Sequence, residues 1–152
     1  MSRIVVSPVP AERPIDTIRM AVAWCERRNI PIRLGDFGIE CKGRNGWWLT
    51  PGGKGCCPLG AVVLMRQPAV MTLPEAPAVA LGTSCAYVEG AADGADKRVP
   101  SRFWLGAPHR QQYLAGFEDG TRLRMEILSV PCRSCSARTR RGAACSHCGA
   151  QP

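Results

Sequence analysis

Four cysteines near the C-terminus constrain the fold of this chain more than any other feature. They form two Cys-x-x-Cys pairs separated by nine residues, at Cys132, Cys135, Cys145 and Cys148. Each pair can place two thiolates on one side of an ion, and a connector of this length can fold back as a hairpin. The pattern therefore predicts a tetrahedral Zn²⁺ site in preference to two disulfides or unrelated free thiols.

The segment that carries these cysteines is too polar to form a core of its own. Between residues 127 and 152 the bulky apolar side chains are Ile127, Leu128 and Val130, all of which precede the first cysteine. A bound metal would have to supply the folding free energy, as it does in small zinc modules. We therefore divide the chain into a helix-rich core domain over residues 1–130 and a zinc-binding tail over residues 131–152.

The tail resembles the short zinc ribbons, in which each knuckle reads Cys-x-x-Cys-Gly. The second knuckle matches fully because Gly149 follows Cys148, whereas the first has Ser136 in the glycine position. A glycine there adopts a left-handed turn that lets backbone N–H groups point at the sulfurs. The resemblance implies a structural Zn²⁺ with four thiolate ligands, and an exposed connector that docks on nucleic acid or protein. His147 could replace one cysteine, but Cys148 has the better spacing.

Charge is distributed unevenly along the chain, whose net charge is +8. Residues 1–66 carry ten basic and five acidic side chains, residues 67–126 carry six and seven, and residues 127–152 carry four arginines and no acid. Basic ends favour a polyanionic partner, and the expected contacts in the tail are Arg138, Arg140 and Arg141. A protein adaptor is the alternative: 17 of the 20 basic residues are arginine, and under this hypothesis the charge is compositional background.

A β-hairpin is predicted over residues 37–50, with Asn45-Gly46 in the turn. Cations and aromatic rings interleave on this hairpin at Lys42, Arg44, Trp47 and Trp48. This mixture is typical of surfaces that stack single-stranded bases, and alternation along the strand should expose one of the two tryptophans. We take Trp48 as the candidate contact; the alternative is that one ring is in the core and the other covers a helix.

The rest of the chain predicts helices. The clearest spans residues 14–29 and carries Cys25 on its apolar stripe, as a core residue. Further helices are expected from Pro58 to about residue 67, over about residues 78–81, from a Ser84 cap to about Asp93, and from about residue 109 to 127. The predicted fold class is therefore α+β, a helix-rich core with a short β-hairpin and a small C-terminal zinc ribbon.

Two segments of the predicted helices resemble each other, YVEGAADG at residues 87–94 and YLAGFEDG at residues 113–120. Mid-helix glycines at Gly90 and Gly116 would allow backbones to approach closely, so the two helices are candidates for a pseudo-symmetric pair; chance is the alternative. The spacing around Gly82 also matches a helix-turn-helix. A second helix that carries Glu89 and Asp93 and no basic side chain argues against DNA readout.

Four more cysteines form a second candidate site, which could be a metal, Fe–S or redox centre: Cys41, Cys56, Cys57 and Cys85. Cys56 and Cys57 precede a helix, where the dipole and Lys54 favour thiolates. One of this pair could join Cys41 and Cys85, with His109 as a candidate fourth ligand. The alternative is that the pair begins a core helix, since cysteine is often buried.

Several classes of protein are excluded by what the sequence lacks. No run of about 18 apolar residues suggests a membrane span, and the N-terminus has no signal-peptide pattern, so we expect a cytoplasmic protein. In that compartment nine cysteines favour metal or redox chemistry over disulfides. With two histidines and no recognisable catalytic set, we expect a non-catalytic zinc protein that contacts nucleic acid or a nucleic-acid-handling complex. A redox or metal-cluster protein built on the core cysteines is the alternative.

Overall fold

The computed structural model describes residues 12–35, 55–69, 75–140 and 143–151. Within these ranges the chain forms six helices and a two-stranded sheet. The helices, α1 to α6 in order, are Pro14–Arg27, Pro58–Arg66, Glu75–Leu81, Cys85–Ala95, Arg102–Leu105 and Arg110–Leu128. The strands are β1, Ser129–Pro131, and β2, Arg138–Arg140. The described part is therefore helix-rich, and the hairpin predicted over residues 37–50 lies outside it. None of its helices is both long and apolar enough to cross a membrane.

Three helix starts follow signals in the sequence. Pro14 and Pro58 each occupy the first helical position, where the missing N–H would have had no intrahelical partner. Ser84 caps α4 because its hydroxyl accepts a hydrogen bond from the N–H of Tyr87 at 3.2 Å. These predicted starts are confirmed.

The first helix ends at Arg27 and not at residue 29 as predicted, and two further helix boundaries differ from the prediction. The third helix begins earlier than predicted, at Glu75, because Pro77 lies in its first turn and needs no intrahelical donor there. The fourth helix does not stop before Gly94 but continues to Ala95. It ends where Lys97 takes the left-handed conformation, with φ at 57°.

Gly94 continues its helix because it is a contact point between two helices. A Cβ on Gly90 would overlap the carbonyl oxygen of Tyr113 in α6, and a Cβ on Gly94 would overlap that of Phe117. Moving four residues along α4 therefore moves the contact four residues along α6, so the two helices run parallel. Only glycine permits this approach, since any side chain would meet backbone atoms.

The contact is reciprocal, as the sequence repeat suggested. Gly116 of α6 lies against the carbonyl oxygen of Tyr87, and Gly120 lies against that of Ala91. In each of these contacts the glycine lies 26 residues after its counterpart in α4, and the carbonyl lies 26 residues before its counterpart in α6; 26 residues is the spacing of the repeat. The two similar helices thus pack as a pseudo-symmetric pair, which confirms that interpretation of the repeat.

Two hydrogen bonds obey the same symmetry. The hydroxyl of Tyr87 donates to Asp119 at 2.5 Å, and that of Tyr113 donates to Asp93 at 2.6 Å. Burial, followed by the hydrogen bond to the carboxylate, raises the pKa of Tyr113 to about 12, and the same causes raise that of Tyr87. Both hydroxyls therefore remain protonated donors at neutral pH.

Parallel helices require the chain to return along the pair. The connection from residue 96 to residue 109 covers this distance, which for a helix of 11 residues is about 16 Å. It contains the short α5, which the sequence did not predict. Two contacts with Tyr113 of α6 fix the position of this connection. The N–H of Ser101 donates to the Tyr113 hydroxyl at 2.8 Å, and Trp104 stacks on the Tyr113 ring.

The first two helices supply the other side of the core. Ile18 and Cys25 of α1, and Leu59 and Val62 of α2, are at most 1% exposed. The prediction that Cys25 is a core residue is confirmed. An ion pair between Arg19 and Glu126, at 2.6 Å, also joins α1 to the end of α6.

The tail follows α6 without a linker. β1 begins directly after α6 and pairs antiparallel with β2, with Val130 opposite Thr139. This sheet begins at Ser129, so it crosses the domain boundary that we placed after residue 130. The division into a core and a tail stays a prediction.

Candidate metal centre

The two Cys-x-x-Cys pairs fold into matching backbone turns. The N–H of Cys132 donates to the carbonyl of Ala137 at 2.8 Å, and the N–H of Cys145 donates to that of Ala150 at 2.9 Å. These positions are equivalent when the chain is shifted by 13 residues, the distance from the first cysteine of one pair to that of the other. The two halves of the site are therefore local copies of one turn.

The turn after each pair is left-handed. Gly149 has a φ of 78°, and Ser136 has a φ of 63° at the equivalent position. The N–H of each residue donates to the carbonyl of the first cysteine of its pair, at 2.9 Å for Ser136 and 2.8 Å for Gly149. Ser136 therefore adopts the left-handed backbone expected of a glycine at this position. This conformation costs free energy in a residue with a Cβ, because the Cβ crowds the following carbonyl oxygen.

The four sulfurs lie at the separations that a tetrahedral ion requires. Cys132 Sγ is 3.5 Å from Cys148 Sγ, and Cys135 Sγ is 3.7 Å from Cys145 Sγ. All four lie within 4.8 Å of one another. Zn–S bonds of about 2.3 Å would separate tetrahedral sulfurs by about 3.8 Å, so the set fits Zn²⁺. None of the four is in a disulfide.

Backbone donors favour the thiolate form at the first cysteine of each pair. The N–H groups of Cys135 and Ser134 lower the pKa of Cys132 to about 6, and the Ser134 donor lies 3.4 Å from the sulfur. In the second pair, the pKa of Cys145 is lowered, and the largest contribution comes from the N–H of Cys148. These N–H groups are functional atoms that residue types alone do not reveal, although the Cys-x-x-Cys spacing signals them.

Cys135 retains its proton more firmly than Cys132 or Cys145. The N–H of Ala137 acts to lower its pKa, but burial and the hydrogen bonds to the neighbouring thiols raise it to about 12. Four thiols in contact cannot all ionise together without a cation among them. Metal binding should therefore release protons as the last ligands ionise.

Neither histidine belongs to this cluster. Among the described residues, the group of ligands close enough to share one ion consists of the four tail cysteines. His147 is exposed beside Cys148, and His109 is exposed just before α6. The preference for Cys148 over His147 is consistent with this geometry.

The candidate nucleic-acid contacts lie partly within the described residues. Arg138 and Arg140 are the first and last residues of β2, so pairing with β1 holds their backbone. Arg133, in the first knuckle, is exposed and adds a cationic side chain that we had not singled out. The other candidates lie outside the described residues: Arg141, Lys42, Arg44 and Trp48.

The core cysteines have a different setting from the one expected. Cys56 is 0% exposed, and its Sγ lies 4.0 Å from that of Cys25 in α1. Burial raises the pKa of Cys56, so the lowering that we predicted for a thiol before a helix is wrong here. The thiol has no contact with water, so the cost of ionising it in a buried position exceeds the stabilisation that the helix dipole would give a thiolate.

Cys57 has a structural role at the start of α2. It is 0% exposed, and its Sγ accepts a hydrogen bond from the N–H of Gly60 at 3.2 Å, which caps the helix. Cys85 begins α4 and is partly exposed, with a pKa that burial raises. Cys41 lies outside the described residues, so the second cysteine site as a whole stays a prediction.

A short turn joins α3 and α4 where the helix-turn-helix spacing was noted, but α4 lacks the surface that DNA readout needs. α3 and α4 are joined through Gly82, whose φ is 65°. Nine of the 11 residues of α4 are buried. One of the other two, Glu89, accepts a hydrogen bond from Trp104 Nε1 at 2.9 Å. This helix therefore has no face to offer a DNA groove.

A cleft of about 350 Å³ lies where α1, the end of α6 and β1 meet. Val22, Leu123 and Ile127 supply apolar lining, and Arg19 and Glu126 supply an ion pair. β1 forms one wall of the cleft, so the start of the tail lies beside the helical core.

Comparison with known protein families, curated proteins and solved structures found no match to this chain. The resemblance of the tail to zinc ribbons therefore rests on its motif and on the placement of its four thiols. The glycine-packed pair of α4 and α6 is likewise characterised by its own contacts.

Proposed function

We propose that this chain is a non-catalytic, cytoplasmic zinc protein that contacts nucleic acid, or a complex that handles nucleic acid, through its basic ends. The observation that carries the metal assignment is the cluster of four thiols, all within 4.8 Å of one another. Four thiolates complete a tetrahedral zinc shell and leave no position for water or substrate. The ion would hold the tail in its folded form, as in a zinc ribbon.

The charge of the tail supports a polyanionic partner. Residues 127–152 contain four arginines and no acidic residue. Three of them, which we call the connector arginines, lie between the two cysteine pairs: Arg138, Arg140 and Arg141. A connector held by a metal at both ends loses little further freedom on binding, so its cations can contact phosphates at a low entropic cost.

The N-terminal half offers a second set of contacts in this proposal. Lys42 and Arg44 would bind phosphates, and Trp48 would stack on an unpaired base. A Trp48→Ala variant separates the two effects, because loss of stacking should weaken single-stranded binding more than double-stranded binding.

The salt dependence of binding tests the proposed function. Each phosphate that a cation neutralises contributes about −0.7 to −0.9 to the slope of log affinity against log salt. Replacing all three connector arginines by alanine should therefore flatten the slope by up to roughly 2–3 units. Fluorescence anisotropy with labelled single- and double-stranded oligonucleotides measures it.

Two controls accompany this experiment. Zinc content should not change in the triple variant, because no ligand is replaced. Arg122→Ala removes one exposed arginine from α6, where it pairs with Glu118 at 2.8 Å, and should leave the slope unchanged. If the wild type binds neither form of nucleic acid at low salt, the nucleic-acid part of the proposal fails, and a protein adaptor becomes the better hypothesis.

A further inference from the structure

The connection between α4 and α6 is held firmly against the helix pair by aromatic side chains. Trp104 stacks on Tyr113 with ring centroids 6.1 Å apart and planes 9° from parallel. Its indole N–H donates to Glu89 at 2.9 Å. This connection is therefore a rigid part of the surface, because both the ring and the polar end of Trp104 are fixed.

Phe103 contacts Trp104 and faces solvent. It meets Trp104 edge to face, with centroids 5.2 Å apart and an interplanar angle of 81°, yet its side chain is 73% exposed. Val99, in the same connection, is 85% exposed. Single exposed apolar residues are common, but an aromatic ring held out by a second fixed ring is already ordered for stacking.

Beyond Asp96, the connection that carries this ring has basic side chains and no acidic one, while the Glu89 carboxylate of α4 lies against Trp104 beside it. From Lys97 to Phe117 there are four basic residues and no acidic one. Lys97, Arg102 and Arg110 are exposed, and no carboxylate of the described residues forms an ion pair with them. The fourth, Arg98, lies 3.7 Å from the buried Asp96.

We infer that the connection between α4 and α6 binds single-stranded nucleic acid through Phe103 and the cations Lys97, Arg102 and Arg110. A connection with an exposed ring and exposed cations provides the two kinds of contact that a single strand needs, a base stacked on the ring and phosphates bound by the cations. A duplex keeps its bases stacked inside the helix, so it could use the cations but not the ring. This inference rests on the proposed function and narrows it to single strands.

Replacing the ring tests the inference. Phe103→Ala should weaken the binding of a labelled oligothymidine strand by about 5- to 150-fold, since stacking on an aromatic side chain contributes about 1–3 kcal/mol per base. Phe103→Trp keeps an aromatic face and should retain most of the affinity. Binding of a duplex of the same length should change little in either variant. Because Phe103 is largely exposed, its truncation should leave the protein folded, which circular dichroism verifies.

Matched variants at other surfaces show whether the effect is specific. Met125→Ala removes a side chain that is 68% exposed on α6, and it should not change binding. Arg102→Ala should remove one phosphate contact and so flatten the slope of log affinity against log salt for the single strand by about 0.7. Arg122→Ala should leave this slope unchanged.

The outcomes separate this inference from the proposed function. If the wild type binds single strands and Phe103→Ala binds equally well, the inference is overturned while the proposed function stands. Tighter binding of duplex than of single strands would overturn it in the same way. If Phe103→Ala loses single-strand binding and the connector-arginine variant has an unchanged salt slope, nucleic acid binds at this connection. The tail would then no longer be part of the proposed binding site. No binding of either form by the wild type would overturn both.

Discussion

Among the described residues of the candidate metal site, Ser136 combines a side chain with a left-handed backbone. Its φ of 63° lies in the left-handed region, where a side chain costs about 1–2 kcal/mol. The equivalent residue, Gly149, has a φ of 78° without this cost. One turn of the site is therefore strained and the other is not, although the two have the same hydrogen bonds.

Ser136→Gly should relieve this strain. After allowance for the greater freedom of glycine in the unfolded chain, we expect a gain of about 0.5–1 kcal/mol, which is about a 2- to 5-fold higher affinity for Zn²⁺. Competition with a chromophoric chelator measures the affinity. The reverse change at the equivalent position, Gly149→Ser, should lower it by a similar factor. Equal affinities in both variants would contradict the assignment of strain.

At the scale of the element, the pair of α4 and α6 depends on four glycines. Each lies where a Cβ would meet a carbonyl oxygen of the other helix: Gly90, Gly94, Gly116 and Gly120. Within a helix a glycine normally destabilises, by about 0.5–1 kcal/mol relative to alanine. Here close packing and the two Tyr–Asp hydrogen bonds offset that cost.

Gly116→Ala should therefore destabilise the fold, against the usual effect of this substitution in a helix. The added methyl group would overlap the carbonyl oxygen of Tyr87, which a rigid helix cannot move. We expect the free energy of unfolding to fall by about 2–3 kcal/mol, as measured by urea denaturation.

Gly106→Ala is the matched control for this substitution. Its Cβ would lie 3.7 Å from the nearest carbonyl oxygen, an ordinary contact, and its φ of −94° suits alanine. The change in unfolding free energy should therefore be within about 0.5 kcal/mol. Equal effects of the two substitutions would contradict the packing role of Gly116.

For the whole molecule, the central question is whether the core needs the metal. The buried apolar side chains of α1, α2, α3 and α4 form one cluster, to which Leu123 of α6 also belongs. The tail contributes few apolar side chains of its own and depends on its cysteines. We therefore expect loss of metal to unfold the tail and leave the helices intact.

Cys145→Ser tests this division of the molecule. The purified wild type should contain one Zn²⁺ per chain and be colourless, and the variant should lose that ion with little loss of helical circular dichroism. Metal analysis by mass spectrometry and an absorption spectrum distinguish zinc from an Fe–S cluster. A wild type purified without zinc would contradict the metal assignment.

Cys85→Ser provides a cysteine control outside the tail. It should retain the full zinc content, because Cys85 lies outside the described cluster of four ligands. If this variant also loses metal, the second cysteine site gains support, and a redox or metal-cluster role for Cys41, Cys56, Cys57 and Cys85 becomes the better hypothesis.

Local features of this chain could be predicted from its sequence. Two ligands separated by two residues meet at one ion through a single turn, so the spacing of the tail cysteines was enough to predict their cluster. The starts of the helices at Pro14, Pro58 and Ser84 depend on the residues next to them in the chain. Such features need no knowledge of what packs against them.

Other features were decided by contacts between distant parts of the chain. Gly94 reads as a helix end in isolation, but α6 packs against it and the helix continues. Cys56 reads as an activated thiol, but its neighbour is Cys25 of another helix, and burial raises its pKa. Exposure of Phe103 likewise depends on the parallel course of two helices and on the return of the chain across them. A sequence determines its local turns directly, whereas burial and contact depend on which surfaces meet after folding.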